Sequence, residues 1–185
     1  MQLSSARAVA FNALSLYGVA LILAAAFAAQ LLLHELPCPL CLLQRVMFAL
    51  LAIGPMLNVR FGPRPSHYAL SLLAAMVGAV VSSRQILLHI LPGDSGYGTA
   101  LLGYHYYTWA FIGFGVAIVL LSIMLLFDTQ FERESAPPSA GILATVAVWL
   151  VIALTAANVA STLLECGFKS CADNPVVYEL LKQGT

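Results

Sequence analysis

The chain has 185 residues, 61% hydrophobic and 9% charged, with zero formal net charge. Soluble domains carry about 25% charged residues, so the composition excludes an ordinary soluble domain and indicates an all-α integral membrane protein forming one compact bundle. The absence of a basic run argues against nucleic acid as a partner and leaves membrane lipid as the first one to expect.

The N-terminus is polar, with Gln2, Ser4, Ser5 and Arg7, and apolar sequence then fills residues 8–33. Secretory signals have an apolar core of only ~7–15 residues, so this run reads as an uncleaved first span. It stops at Pro37-Cys38-Pro39-Leu40-Cys41-Leu42-Leu43-Gln44-Arg45. Residues 42–58 make a short second span whose far end is loosened by Gly54-Pro55. A breaker-rich loop with Arg60 and Arg64 leads to a third span at 67–91, with Arg84, Gln85 and His89 near its outer end. Pro92 to Gly98 is a turn-rich loop without Lys or Arg. The aromatic cluster Tyr104-His105-Tyr106-Tyr107-Thr108-Trp109 marks the start of a fourth span at 105–127, as an interfacial belt or as part of a ligand site. A polar loop with Arg133 and Pro137-Pro138 precedes a fifth span at 140–164. The tail, 165–185, carries Cys166, Cys171 and a short helix-like stretch at 175–182. The expected fold is therefore a four-helix transmembrane bundle plus a fifth transmembrane helix.

The four cysteines form two close pairs at the edges of spans. Such pairs read as redox pairs, structural disulfides or metal ligands. At the first pair, Pro39 suits the first turn of a helix, which makes Cys38 the cap and Cys41 a first-turn residue. Unpaired N–H groups and the helix dipole there favour a thiolate at Cys41 and leave Cys38 more ordinary. Arg45 lies one turn deeper on the same face. An arginine just inside a bilayer is expensive, so its expected task is to hold a thiolate or a polar head group; the alternative is snorkelling to the surface.

Arg7, Arg60, Arg64 and Arg133 fall on one side of the five spans, which sets the N-terminus in the cytoplasm and the tail outside. Lys169 and Lys182 in the tail weaken this bias without reversing it. Both cysteine pairs then share the compartment in which disulfides persist.

The run Cys38-Pro39-Leu40-Cys41-Leu42-Leu43-Gln44-Arg45, after one span and opening the next, resembles the DsbB family of bacterial inner-membrane disulfide-generating proteins. The stretch Arg84-Gln85-Ile86-Leu87-Leu88-His89-Ile90-Leu91-Pro92 is similar to the corresponding family segment, and the resemblance covers residues 14–127. It implies a protein dithiol:quinone oxidoreductase in the inner membrane, with ubiquinone or menaquinone beside Cys41. Electrons would come from a periplasmic DsbA-like thioredoxin-fold protein, through a second cysteine pair and then Cys38 and Cys41. Arg45 takes the position of the arginine that assists the quinone, and Gln44, Arg84 and His89 are further cofactor-binding candidates. His89 is equally readable as an interface residue.

One departure stands out. The family carries its second pair between spans three and four, where this chain has no cysteine; here Cys166 and Cys171 follow the fifth span. The expectation is that the tail folds back, so that the reduced tail pair attacks Cys38 and releases Cys41. The alternatives are a structural clip on the tail, a transmembrane thiol relay delivering reductant outward, and a metal site using all four cysteines.

Overall fold

The computed structural model describes residues 3–131 and 141–182. Arg133, Pro137-Pro138, Gln2 and the last three residues lie outside the described residues. Among the described residues, seven α-helices run in chain order: α1 Ser5–Leu32, α2 Pro39–Leu51, α3 Ile53–Phe61, α4 Pro65–Leu88, α5 Tyr106–Leu125, α6 Ile142–Cys166 and α7 Glu179–Lys182. Among the described residues, five helical segments are long and apolar enough to cross a membrane, α2 and α3 counting as one. The protein is an all-α integral membrane protein.

The second span is broken for a covalent reason. Pro55 has no N–H to give to the carbonyl of Leu51, four residues earlier. Ser71 on α4 donates its hydroxyl to that carbonyl at 2.7 Å, which satisfies it where no water is at hand. A side chain at Gly54 would collide with the His67 carbonyl and Ser71, so glycine is what lets α3 lie close against α4.

Helix α4 packs on α5, α2 and α3, while α1 packs on α3 and α6. The ring of Phe114 fills the space left by Gly78 and stacks on Phe48 with centroids 4.0 Å apart. This locks α5, α4 and α2 together. On the other side Ala144, Ala147 and Val151 give α6 a smooth buried face.

At the end of the bundle holding the α1 N-terminus, one buried polar network ties several segments together. Asn12 donates to Tyr68 Oη at 2.7 Å, Tyr68 donates to Gln130 at 2.9 Å, and Asn58 donates to Asn12 at 2.9 Å. His67 Nδ1 lies 2.8 Å from Asn58 Oδ1. Satisfied in this way, the network fixes helix register in an otherwise apolar interior.

The helix bounds differ from the expected spans by a few residues, and the helix in the tail is only Glu179–Lys182 instead of the expected 175–182. Helix α6 continues through Cys166 instead of ending at 164, because nothing breaks it before Gly167, which takes φ +64° and closes the helix with an N–H bond to Leu163. The outer loop contains a two-stranded hairpin, β1 Ala100–Leu101 and β2 Tyr104–His105, paired Ala100 to His105 and Leu101 to Tyr104. Leu102 and Gly103 both take positive φ, as a two-residue turn of this hand requires.

Candidate functional site

Cys38 caps α2. Its extended backbone leaves the helix, Pro39 opens the first turn, and Cys38 Sγ accepts the N–H of Cys41 at 3.1 Å. The two cysteines form a disulfide, and Cys38 is buried. Gln85 on α4 holds the pair from behind. Its amide donates to Cys38 Sγ at 3.2 Å and reaches Cys41 Sγ at 3.5 Å, while its carbonyl oxygen accepts from Gln44 at 2.8 Å.

Arg45 stands one turn below Cys41 and is bonded inside the bundle. It donates to Gln30 Oε1 at 2.7 Å, to the Ala26 carbonyl at 3.0 Å and to Asn158 Oδ1 at 3.4 Å, and it stacks over Phe27. Gln30 in turn donates to Ser161 at 2.7 Å and to Tyr178 Oη at 2.9 Å. Thus α6 and the tail close over the arginine from the side of α1.

On the other side of Arg45 lies a cavity of about 440 Å³ between α1 and α5, floored by Phe48. Gln30, Glu35, Cys41, Gln44, Arg45 and Tyr97 are its polar lining, and most of the rest is apolar or aromatic, including Tyr106, Tyr107 and Trp109. A second apolar cavity shares Ile22, Phe48 and Gly113 with it and extends toward Leu3. A disulfide and polar side chains in the wall of an otherwise apolar groove suit a ligand with a polar head and an apolar tail.

The rim is fixed by the outer loops. Tyr97 donates to the Leu36 carbonyl at 2.6 Å, and Glu35 accepts from the Thr99 N–H at 2.9 Å and from its hydroxyl. Burial holds the Tyr97 phenol above its usual range, and the negative charges of Glu165 and Glu35 push the same way.

Cys38, Cys41, Gln44 and Arg45 therefore come together, with Gln85. Arg84 and His89 do not join them. Arg84 is exposed, and His89 bonds to Asp94 at 3.0 Å and stacks on Tyr107. Neighbours on a helix point about 100° apart, so an inward Gln85 sends Arg84 outward. Gln30, Asn158, Ser161, Glu165 and Tyr178 escaped the sequence reading. The signal was there: each of the first four is a polar residue in an apolar helix.

Cys166 and Cys171 form a second disulfide, with Cys166 buried at the end of α6. Among the described residues, no three His, Cys, Asp or Glu stand together in a metal-binding arrangement.

Gln85→Leu is expected to remove the bonds to both sulfurs and leave the buried Gln44 amide unpaired, a loss of about 1–3 kcal/mol. Thermal unfolding in detergent checks this; an unchanged midpoint contradicts it.

The family model described as Disulfide bond formation protein DsbB matches residues 7–125. Disulfide bond formation protein B of Xanthomonas axonopodis pv. citri (strain 306) is 40% identical over 78 residues, 40% of this chain and 45% of the relative. Disulfide bond formation protein B 2 of Burkholderia lata is 40% identical over 67 residues, 36% of this chain and 40% of the relative. The chain thus spans less than half the length of these curated relatives, and no solved structure matches. Helix α6 and the tail lie beyond the family match. With the capped dithiol and the arginine one turn below it inside the matched region, the chain belongs to the DsbB family of disulfide bond formation proteins.

Proposed function

We propose that this protein oxidises a periplasmic DsbA-like thioredoxin-fold protein and passes the electrons to ubiquinone or menaquinone, generating disulfides de novo. The observation that carries this reading is the Cys38–Cys41 disulfide in the wall of a cavity also lined by Arg45. Bound quinone supplies the oxidising power, taking up two electrons and two protons.

The chain's own residues do the rest. One thiolate of the reduced partner attacks the Cys166–Cys171 disulfide to form a mixed disulfide, and the partner's second thiolate then displaces the tail sulfur, so that the partner leaves oxidised and the tail pair is reduced. The reduced tail pair attacks Cys38 and releases Cys41, the sulfur at the helix N-terminus and so the better leaving group. Gln85 keeps both sulfurs oriented through its amide. Arg45 keeps a positive charge at the cavity wall where negative charge develops. Arg45→Ala is expected to raise the apparent KM for quinone about tenfold or more, since a charged hydrogen-bond donor is worth roughly 1.5–3 kcal/mol. Unchanged quinone kinetics would leave Arg45 with a purely structural role.

We place the N-terminus in the cytoplasm and the tail in the periplasm of the bacterial inner membrane. Two observations support this. Leu3 bonds to Thr129 at 2.9 Å and Asn58 to Asn12, which gathers Arg7, Arg60 and Arg64 toward one end of the bundle. The bonds of Arg45 and Gln30 to α6 and the tail gather both cysteine pairs toward the other. A reporter active only in the periplasm, fused after Thr185, should be active. Activity of a cytoplasm-only reporter at that position would remove the shared sidedness of the pairs.

A further inference from the structure

Arg45 lines the cavity, and among the described residues it forms no ion pair. No carboxylate is bonded to it, so what fixes the guanidinium at the cavity wall is a set of neutral oxygens. A long side chain samples many rotamers, and the groups that hold it decide how well it acts on a ligand.

Of its bonds, the one to Gln30 Oε1 is the shortest, 2.7 Å, against 3.0 Å to the Ala26 carbonyl and 3.4 Å to Asn158 Oδ1. Gln30 is 2% exposed. An amide can present oxygen or nitrogen to a neighbour, and its partners decide which. Arginine only donates, so the Gln30 oxygen faces Arg45. The nitrogen then carries two N–H groups that need acceptors in a place away from water. It meets two: Ser161 Oγ on α6 at 2.7 Å and Tyr178 Oη in the tail at 2.9 Å. Two acceptors for two N–H groups set the amide one way round. If the tail lifts away, one N–H loses its partner, and half of what keeps the oxygen toward Arg45 is gone. Between Cys171 and Tyr178 the chain is largely exposed, and α7 hangs on the Tyr178 carbonyl through the N–H groups of Leu181 and Lys182.

We propose that Gln30 is a positioning residue that makes docking of the tail and setting of Arg45 one event. With Tyr178 docked, the Gln30 oxygen holds the guanidinium at the cavity wall. With Arg45 in place, the Gln30 nitrogen is presented to Tyr178. Such coupling is reciprocal, so whatever strengthens one contact strengthens the other. Gln30 and Arg45 lie inside the region that matches the family, and Ser161 and Tyr178 lie beyond it. The tail that carries the second disulfide thus acts on the site of the first through hydrogen bonds, apart from any exchange between sulfurs. The inference rests on the proposed function only in giving the cavity a quinone.

Chymotrypsin reads the docking directly. It cleaves after an aromatic residue whose ring enters its pocket, so cleavage after residue 178 follows the undocked population. In the full-length protein in detergent, Gln30→Met and Arg45→Met should each speed this cleavage about threefold to tenfold, the worth of one hydrogen bond. Gln85→Leu, which loosens the bundle elsewhere, should leave it at the parental rate. From the other end, Tyr178→Phe should raise the apparent KM for ubiquinone about threefold to tenfold with a small dithiol as donor, and change kcat less. A merely structural tail would leave that KM alone. Tyr178→Phe removes one hydroxyl from the tail and carries the test if the two bundle variants do not fold. Parental cleavage in Arg45→Met, equal acceleration in Gln85→Leu, or a parental KM in Tyr178→Phe would overturn the proposal. Faster cleavage in Gln30→Met and Arg45→Met, in a protein whose parent reduces no quinone, would uphold it and overturn the quinone function instead.

Discussion

Cys41→Ser is expected to abolish quinone reduction, to below a thousandth of the parental rate. Of the four sulfurs, Cys41 is the one that lines the cavity, and it sits in the first turn of α2 with Arg45 one turn deeper. A hydroxyl in its place is no two-electron donor, and the remaining Cys38 thiol cannot close a disulfide with it. Serine is nearly isosteric, and the helix cap is made by Cys38, so the fold should persist. The check is quinone absorbance with a small dithiol as donor, beside a thermal melt of the same sample. Substantial quinone reduction by a well-folded Cys41→Ser protein would mean that electrons leave the chain elsewhere.

The second large effect is expected in the tail. Cys166→Ser with Cys171→Ser should block oxidation of the protein partner while sparing quinone reduction by a small dithiol that reaches Cys38 directly. A relay loses only the first activity; a structural clip loses both or neither. The structure supports a tail that stays close to the first pair. Tyr178, seven residues after Cys171, accepts a hydrogen bond from Gln30, the same glutamine that receives Arg45. Gly167 at positive φ turns the chain sharply after Cys166, and a side chain there would lie against Leu180. Trapping of a mixed disulfide between Cys38 and either tail cysteine would support the relay. Full partner oxidation by the double variant would end it.

Much of the site near Cys38 could be read from local rules. Proline at the first helical position, a cap before it and an arginine four residues after Cys41 are short-range features, and each has one geometric consequence. The spans were legible because lipid imposes their length and apolarity. What escaped was contact between helices distant in sequence. Nothing in the sequence around Asn158 says that it meets Arg45, 113 positions away. That contact depends on α6 packing against α1 through Ala144, Ala147 and Val151, a smooth face with no polar label. Arg84 adjoins Gln85 in sequence, but helical rotation separates neighbouring side chains, and His89, past the last residue of α4, turns to Asp94 and Tyr107. The fifth span is expected to end at 164, whereas α6 runs on to Cys166 and keeps Glu165 helical and buried.

The proposed function passes electrons from a protein dithiol through this chain to a quinone. Its most direct test is a turnover assay on the purified full-length protein, with a reduced DsbA-type thioredoxin-fold protein as donor and ubiquinone or menaquinone as acceptor. Quinone loss is followed by absorbance and donor disulfide by thiol titration. Catalytic turnover is expected, with one quinone consumed for each donor disulfide formed. Donor oxidation without quinone consumption, or none at all with either quinone, would contradict it.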